Sequence, residues 1–251
     1  MSIVPQRPEL HHTLTELPRA SFEAARLAVG FRKLVAGVPQ GDGRPVLVLP
    51  SYGLGDYGMT PLRSFLGQIG YETPLSGIDL NLDRGDLRIR RIEDAARFRS
   101  SQVEGVVARI EEIHSETGKK PSLVGWSMGG LFALDASQLV PSLVSDVITL
   151  GSPFGDPRGT AMWNFMRWLS GSEVPVDQQD FTPWLNGASL KTAAVPVTVL
   201  YSEMDGIVGK EIARVEEHVA VRHQLVTSSH LGFAMNSEVF EMIARALAPN
   251  S

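Results

Sequence analysis

Gly125-Trp126-Ser127-Met128-Gly129 sets one hydroxyl between glycines two positions away on either side, after a short apolar run and before a helix-like segment. A serine in a G-x-S-x-G turn between strand and helix is held in a strained conformation, exposed for attack on a carbonyl. Small neighbours are needed there so that strand and helix can approach each other. With 24 glycines in 251 residues, chance supplies the pattern in roughly one such chain in five, so its surroundings must decide. Those surroundings fit: Pro121 to Val124 reads as a buried strand and Met128 to Leu139 as a helix, whose Gly129, Gly130 and Ala133 form a narrow face.

A serine hydroxyl becomes a nucleophile only when a base takes its proton, and the base needs a carboxylate to orient it. For a nucleophile on this kind of turn the chain order is serine, acid, histidine. His11, His12 and His114 precede Ser127 and are excluded. His218 ends a helix-like run from Glu211, and His223 falls inside the last strand. His230 follows that strand in Ser228-Ser229-His230-Leu231-Gly232, at the carboxyl end of the sheet beside Ser127. The acid is read as Asp205, after the strand Val197 to Tyr201. Glu203 competes, but Gly206 suggests a tight turn that points Asp205 inward. Asp146 stands at the start of its strand, too early. Negative charge developing on a tetrahedral intermediate needs two N–H donors. The Met128 amide at the start of a helix is one, and the loop Pro50-Ser51-Tyr52-Gly53 supplies the other.

These residues have to be positioned by an alternation of strands and helices. A helix is expected from Pro18 to Val38, with Leu27, Phe31, Leu34, Val35 and Val38 on one stripe. Val46-Leu47-Val48-Leu49 reads as a strand buried on both faces. Thr60 and Pro61 cap a helix carrying Leu62, Phe65, Leu66 and Ile69 and ended by Gly70. Tyr71 to Asp79 is a weaker strand. Val103, Val106, Val107, Ile110 and Ile113 mark a helix before Gly118. Val147 to Leu150, Val197 to Tyr201 and Val219 to Val226 are further strands, and Val239, Phe240, Ile243 and Leu247 mark the last helix. This predicts an α/β protein with a mostly parallel central sheet flanked by helices. From Gly151 to Ala194 no strand signal occurs, yet Trp163, Trp168 and Trp184 gather there with Met162, Phe165, Met166 and Leu169. Such residues often simply pack on a core. A long interruption at a strand end also suits a small helical cap, here about 154–190, with Trp163, Phe165 and Trp168 as substrate-binding candidates.

Composition bounds the function. A net charge of −5 argues against nucleic acid as a partner. The absence of cysteine removes disulfides, zinc-thiolate sites and a thiol nucleophile. Met1 to His12 lacks the apolar core of a signal peptide and no stretch is long enough to span a membrane, so a cytoplasmic location is expected.

Taken in order, Val46 to Tyr52, Gly125 to Gly130, Leu150-Gly151-Ser152-Pro153, Tyr201 to Val208 and Ser229 to Gly232 resemble the motifs of bacterial α/β-hydrolase esterases and lipases. The resemblance runs from Arg44 to Ala248. It implies an α/β-hydrolase domain over 44–251, with 1–43 as an N-terminal helical extension. It also implies Tyr52 as the second oxyanion residue beside Met128. Here the chain departs from the family, since Pro50-Ser51 stands where His-Gly is usual.

Gly53-Leu54-Gly55-Asp56-Tyr57-Gly58, with Asp79 beyond it, outlines a dinucleotide-binding fingerprint. Three residues separate it from the strand, and its helix begins only at Pro61. It also leaves the serine, acid, histidine order unexplained, so an oxyanion loop is the better reading. Arg84, Arg88, Arg90 and Arg91 alternate with acidic residues and read as solvated surface. The expectation is a serine carboxylic-ester hydrolase acting through an acyl-serine formed by Ser127, Asp205 and His230. Its substrate would be a small-molecule or lipid-like ester with an apolar acyl part, and no cofactor or metal is called for. Acyl transfer by the same residues, or a non-catalytic binding protein, are the alternatives.

Overall fold

Four of the apolar runs read from the sequence, together with the Ser122–Trp126 segment, become five parallel strands: β1 (Val46–Leu49), β2 (Ser122–Trp126), β3 (Val147–Leu150), β4 (Val197–Tyr201) and β5 (Val221–Leu225). The structure is a computed structural model and describes residues 5–82, 89, 91–163, 184, 194–215 and 219–248. The strands lie side by side in chain order. Leu47 pairs with Leu123, Leu123 with Val147, Val147 with Val197 and Val197 with Val221, so their carboxyl ends reach one edge of the sheet. Parallel strands require crossovers, and these cover both faces with helices.

Alternation along each strand divides the core in two. Leu47, Leu49, Leu123, Val147, Val197 and Val199 face α4 (Ile92–Thr117) and α5 (Met128–Leu139). Val46, Val48, Val124, Ile148, Leu150 and Leu200 face α2 (Glu16–Gly37), α3 (Thr60–Gln68) and α6 (Ser237–Leu247). Each fully buried Leu, Ile or Phe adds about 1.5–3 kcal/mol by leaving water. The short helix α1 (Leu10–Leu14) leads into α2. Asn236 caps α6, its side chain accepting from the Glu238 and Val239 amides at 2.8 and 3.4 Å. Gly118 ends α4 at φ +67°, a left-handed conformation that favours glycine.

Two local expectations change. Tyr71 to Asp79 does not form a strand: it makes a single parallel bridge, Glu72 with Pro45, and then turns away. The Asp56 carboxylate holds it as a loop, accepting from the Ser76 amide and hydroxyl at 3.1 and 2.8 Å and from the Gly77 amide at 3.0 Å. These bonds occupy donors that a sheet ladder would otherwise take. Thr60 is the first residue inside α3 and not its cap, and its hydroxyl donates to the Tyr57 carbonyl at 2.7 Å. Of the 154–190 interval, 154–163 and Trp184 are described. The rest, including Phe165 and Trp168, lies outside the described residues, as do Arg84, Arg88, Arg90 and His218.

Candidate active site

Ser127 ends β2 and precedes α5. Its φ of +55° and ψ of −118° make it the only non-glycine with positive φ among the described residues. A side chain in that region is strained and persists only where the surroundings over-determine it. The surroundings do so through close backbone approach. A Cβ on Gly125 would run into the Gly129 carbonyl, and one on Gly129 would meet the Leu49 carbonyl on β1. The Ser127 amide donates to the Leu150 carbonyl at 2.8 Å, which ties the turn to the end of β3. Ser127 is 8% exposed.

His230 and Asp205 meet on the same edge. Asp205 follows β4, and its Oδ2 lies 2.7 Å from His230 Nδ1, with both side chains almost fully buried. The other oxygen, Oδ1, accepts from the Ile207 and Val208 amides at 2.8 and 2.7 Å. The carboxylate is therefore held from both sides, and one oxygen is left to the imidazole. The ring is fixed further by Trp126, whose centroid is 5.9 Å away and whose Nε1 donates to the His230 carbonyl at 3.1 Å, and by Phe233 edge-on at 6.3 Å. Burial opposes a charge on His230, but the charge of Asp205, its hydrogen bond and the charge of Glu16 outweigh it. The pKa rises above the ordinary histidine value of 6.5. Among the described residues, Ser127 and His230 form no hydrogen bond with each other and share only the cavity between them. Such a bond often tightens only when substrate is bound.

Glu203 points elsewhere: its side chain is exposed and lies 3.4 Å from Lys210. Asp146 is at the opposite end of the sheet, accepting from Ser122 Oγ at 2.8 Å and pairing with Arg44 at 3.5 Å. His223 sits within β5, in register with Val199. Gly206 has no positive φ. Its lack of a side chain serves a different purpose, since a Cβ there would collide with the His12 carbonyl at the N-terminal helix.

The cavity has a volume of about 210 Å³. Ser51, Tyr52, Ser127, Met128 and His230 form its polar end, and Met162, Trp163, Trp184, Ile207, Val208 and Leu231 are among its apolar walls. Met128 opens α5, where helix amides lack intrahelical partners and favour an anion. The Tyr52 loop is braced by Asn81, which is wholly buried. Its Nδ2 donates to the Pro50 carbonyl at 2.9 Å, its amide donates to Leu54, and its own carbonyl accepts from Gly53 at 2.6 Å. The glycine run 53–58 packs on its own chain, Gly55 lying against the Asp79 carbonyl, where a cofactor would need the close approach. Trp184 donates from Nε1 to the Gly155 carbonyl at 3.1 Å, and the Arg99 guanidinium covers its ring at 5.2 Å. Among the described residues no cluster of three His, Cys, Asp or Glu side chains could hold a metal, and no helix is long and apolar enough to cross a membrane.

Three groups touching the site went unread in the sequence. Glu16 and Glu23 of α2 and Ser202 after β4 bind the loops that carry Asp205 and His230. The signal for the carboxylates was present: Glu16, Ala20, Glu23 and Leu27 fall at helical spacing on the stripe that α2 buries.

The sequence matches no protein-family model and no curated protein. Solved structures do match. Lipase B of Aspergillus fumigatus superposes with a TM-score of 0.56 at 18% identity over 83% of this chain, which spans only 54% of that longer protein. The mature lipase BlEst2 of Bacillus licheniformis gives 0.57 at 16% identity, covering 84% of this chain and 94% of that one. A monoacylglycerol lipase of Paleococcus ferrophilus gives 0.53 at 16% identity, covering 84% and 94%. At such identities the likeness is one of fold, and the fold is that of the α/β hydrolases.

Proposed function

We propose that this protein, an α/β hydrolase by fold, is a serine carboxylic-ester hydrolase. The observation that carries the reading is the buried His230–Asp205 pair at 2.7 Å, which opens into the same cavity as the strained Ser127. His230 Nε2 takes the proton from Ser127 Oγ as the oxygen attacks the ester carbonyl. The carbonyl oxygen becomes an oxyanion, held by the Met128 and Tyr52 amides. On collapse the C–O bond to the alcohol breaks and the alkoxide leaves with the proton from His230. Water then attacks the acyl-serine, giving a proton to His230, which returns it to Ser127 as the acid departs. Asp205 keeps Nδ1 protonated and stabilises the imidazolium without itself accepting the proton.

The walls of the cavity favour an apolar acyl group. Ser127→Ala tests the reaction directly. On a series of nitrophenyl esters turnover should drop by about 10⁴-fold or more while the fold persists. A purified variant keeping over about a tenth of wild-type activity sinks the nucleophile assignment. Wild-type labelling by a fluorophosphonate, absent in Ser127→Ala, separates an enzyme from a binding protein, and product analysis with added alcohol separates hydrolysis from acyl transfer.

A further inference from the structure

Glu16 is a charged side chain in a place where burial costs most. It is 5% exposed on the first turn of α2, and its carboxylate faces the ends of β4 and β5. Taking an ionised carboxylate out of water is unfavourable unless charge and hydrogen bonds compensate. Here both do. Oε1 accepts from the Gly206 amide at 2.7 Å and the His230 amide at 3.0 Å, and Oε2 accepts from the Leu231 amide at 3.0 Å. Arg19, one turn along, pairs with Oε1 at 3.1 Å and reaches the Met204 carbonyl at 2.6 Å and the His12 carbonyl at 2.8 Å.

The identity of the amides gives the arrangement its meaning. Gly206 directly follows Asp205, and His230 is the candidate base, so one carboxylate joins the loop of the acid to the loop of the histidine. The two N-terminal helices, α1 and α2, reinforce the grip on both. Thr13 Oγ1 donates to the Gly206 carbonyl at 2.6 Å. Two turns beyond Glu16, Glu23 accepts from the Ser229 amide at 2.9 Å, from Ser229 Oγ at 3.0 Å and from Ser228 Oγ at 3.4 Å. Gly232 is open to this contact because a Cβ there would strike Glu23 Oε2. A purely structural helix would do better with an apolar residue at position 16, were there not three N–H groups, two of them buried, in need of an acceptor.

We infer that Glu16 is a positioning residue for the Asp205–His230 pair, so that the N-terminal helix is part of the catalytic unit. The inference rests on the hydrolase reading. Glu16 does two separable jobs: it fixes the distance between two loops, and it holds a negative charge behind the imidazole that must become cationic as Ser127 attacks. Among the described residues, the charged and titratable groups around His230 are Asp205 after β4 and, from the N-terminal helices, Glu16, Arg19, Glu23 and His12. The faces supplied by β2 and by the turn after His230 are the uncharged rings of Trp126 and Phe233.

Glu16→Gln removes the charge and turns one acceptor into a donor while keeping size. Turnover of a nitrophenyl ester should fall about 10- to 100-fold with KM little changed, since misplacement of reacting groups acts on the transition state. The rise of kcat/KM with pH should move to lower pH, because a carboxylate that favours the imidazolium is gone. Glu16→Asp keeps the charge on a shorter arm, so its pH profile should return toward wild type. A reduced kcat with a wild-type pH profile in Glu16→Gln, or a variant that only melts earlier while its folded fraction turns over normally, overturns the inference. His230 can also be followed by NMR titration, its signal assigned by loss in His230→Asn. If wild type neither hydrolyses esters nor takes a fluorophosphonate, the hydrolase reading fails. The titration then still decides about Glu16: a His230 midpoint lowered in Glu16→Gln supports the link, and an unchanged one refutes it.

Discussion

Replacing Asp205 by Asn tests the geometry at the point where it is most constrained. Asp205 Oδ1 is committed to the Ile207 and Val208 amides and Oδ2 to His230 Nδ1. An asparagine has one acceptor and one donor for these two faces. If its oxygen serves the two amides, its NH2 meets the imidazole and forces the proton to Nε2, where a base for Ser127 needs a lone pair. If it flips, the NH2 group opposes two N–H donors. Neither orientation restores the pair. The electrostatic loss can be sized. The imidazolium charge is spread over the ring, so the 2.7 Å contact corresponds to charge centres about 4 Å apart, worth about 4 kcal/mol at an effective dielectric constant near 20. That is roughly a 10³-fold loss of turnover, within the range of roughly 10²- to 10⁴-fold expected for a triad acid. Because Asp205 touches the imidazole and not the ester, kcat should carry the loss and KM should not. In wild type the His230 pKa is raised, so the rate should climb with pH at a value above that of ordinary histidine. In Asp205→Asn the climb should shift to lower pH. The sign for stability follows from the same shift. A raised folded-state pKa stabilises the protein fully below the unfolded pKa, and that contribution is lost as pH rises through the folded value. The variant should therefore lose most Tm relative to wild type in acid and least in base. Glu203→Gln is the control, since Glu203 is exposed and paired with Lys210. A loss below about tenfold in Asp205→Asn, or a larger one in Glu203→Gln, refutes the assignment.

His230→Ala should cost nearly as much as Ser127→Ala, whereas His223→Ala, inside β5, should leave turnover close to wild type; equal losses measured on one ester would remove His230 as the base. Trp163→Ala and Trp184→Ala enlarge the apolar end of the cavity. Each should shift the kcat/KM ratio between short and long acyl esters by about 10- to 100-fold, the scale of 1–3 kcal/mol for apolar discrimination. Lower Tm with unchanged ratios in both variants would make the tryptophans structural packing alone.

The local parts of this protein were legible in its chain. Gly125, Gly129 and Gly130 around Ser127 marked a strand-to-helix turn because its strain and the Gly125–Gly129 approach are local requirements, although the contacts of Gly129 with Leu49 and of Gly130 with Ser152 are made only in the folded chain. The strands Val46–Leu49, Val147–Leu150 and Val197–Tyr201 were legible because short runs dominated by β-branched and other apolar residues suit a sheet covered on both faces. The parallel sheet and its two helical layers followed from their alternation with helices. The stretch after Tyr71 misled because strand propensity counts for little where the Asp56 carboxylate, distant in sequence, captures the amides. Only the tertiary structure decided what the N-terminal helix packs against. Periodicity says which face of a helix is buried, and the stripe of Glu16, Ala20, Glu23 and Leu27 was there to be read. It does not say what lies opposite. The partners of Glu16 are backbone amides at 206, 230 and 231, and backbone amides carry no residue-specific mark in a sequence. Gly206 makes the same point: its glycine suggested a turn, but the space it leaves is filled by the carbonyl of His12, a contact made only when the chain's beginning folds over its end.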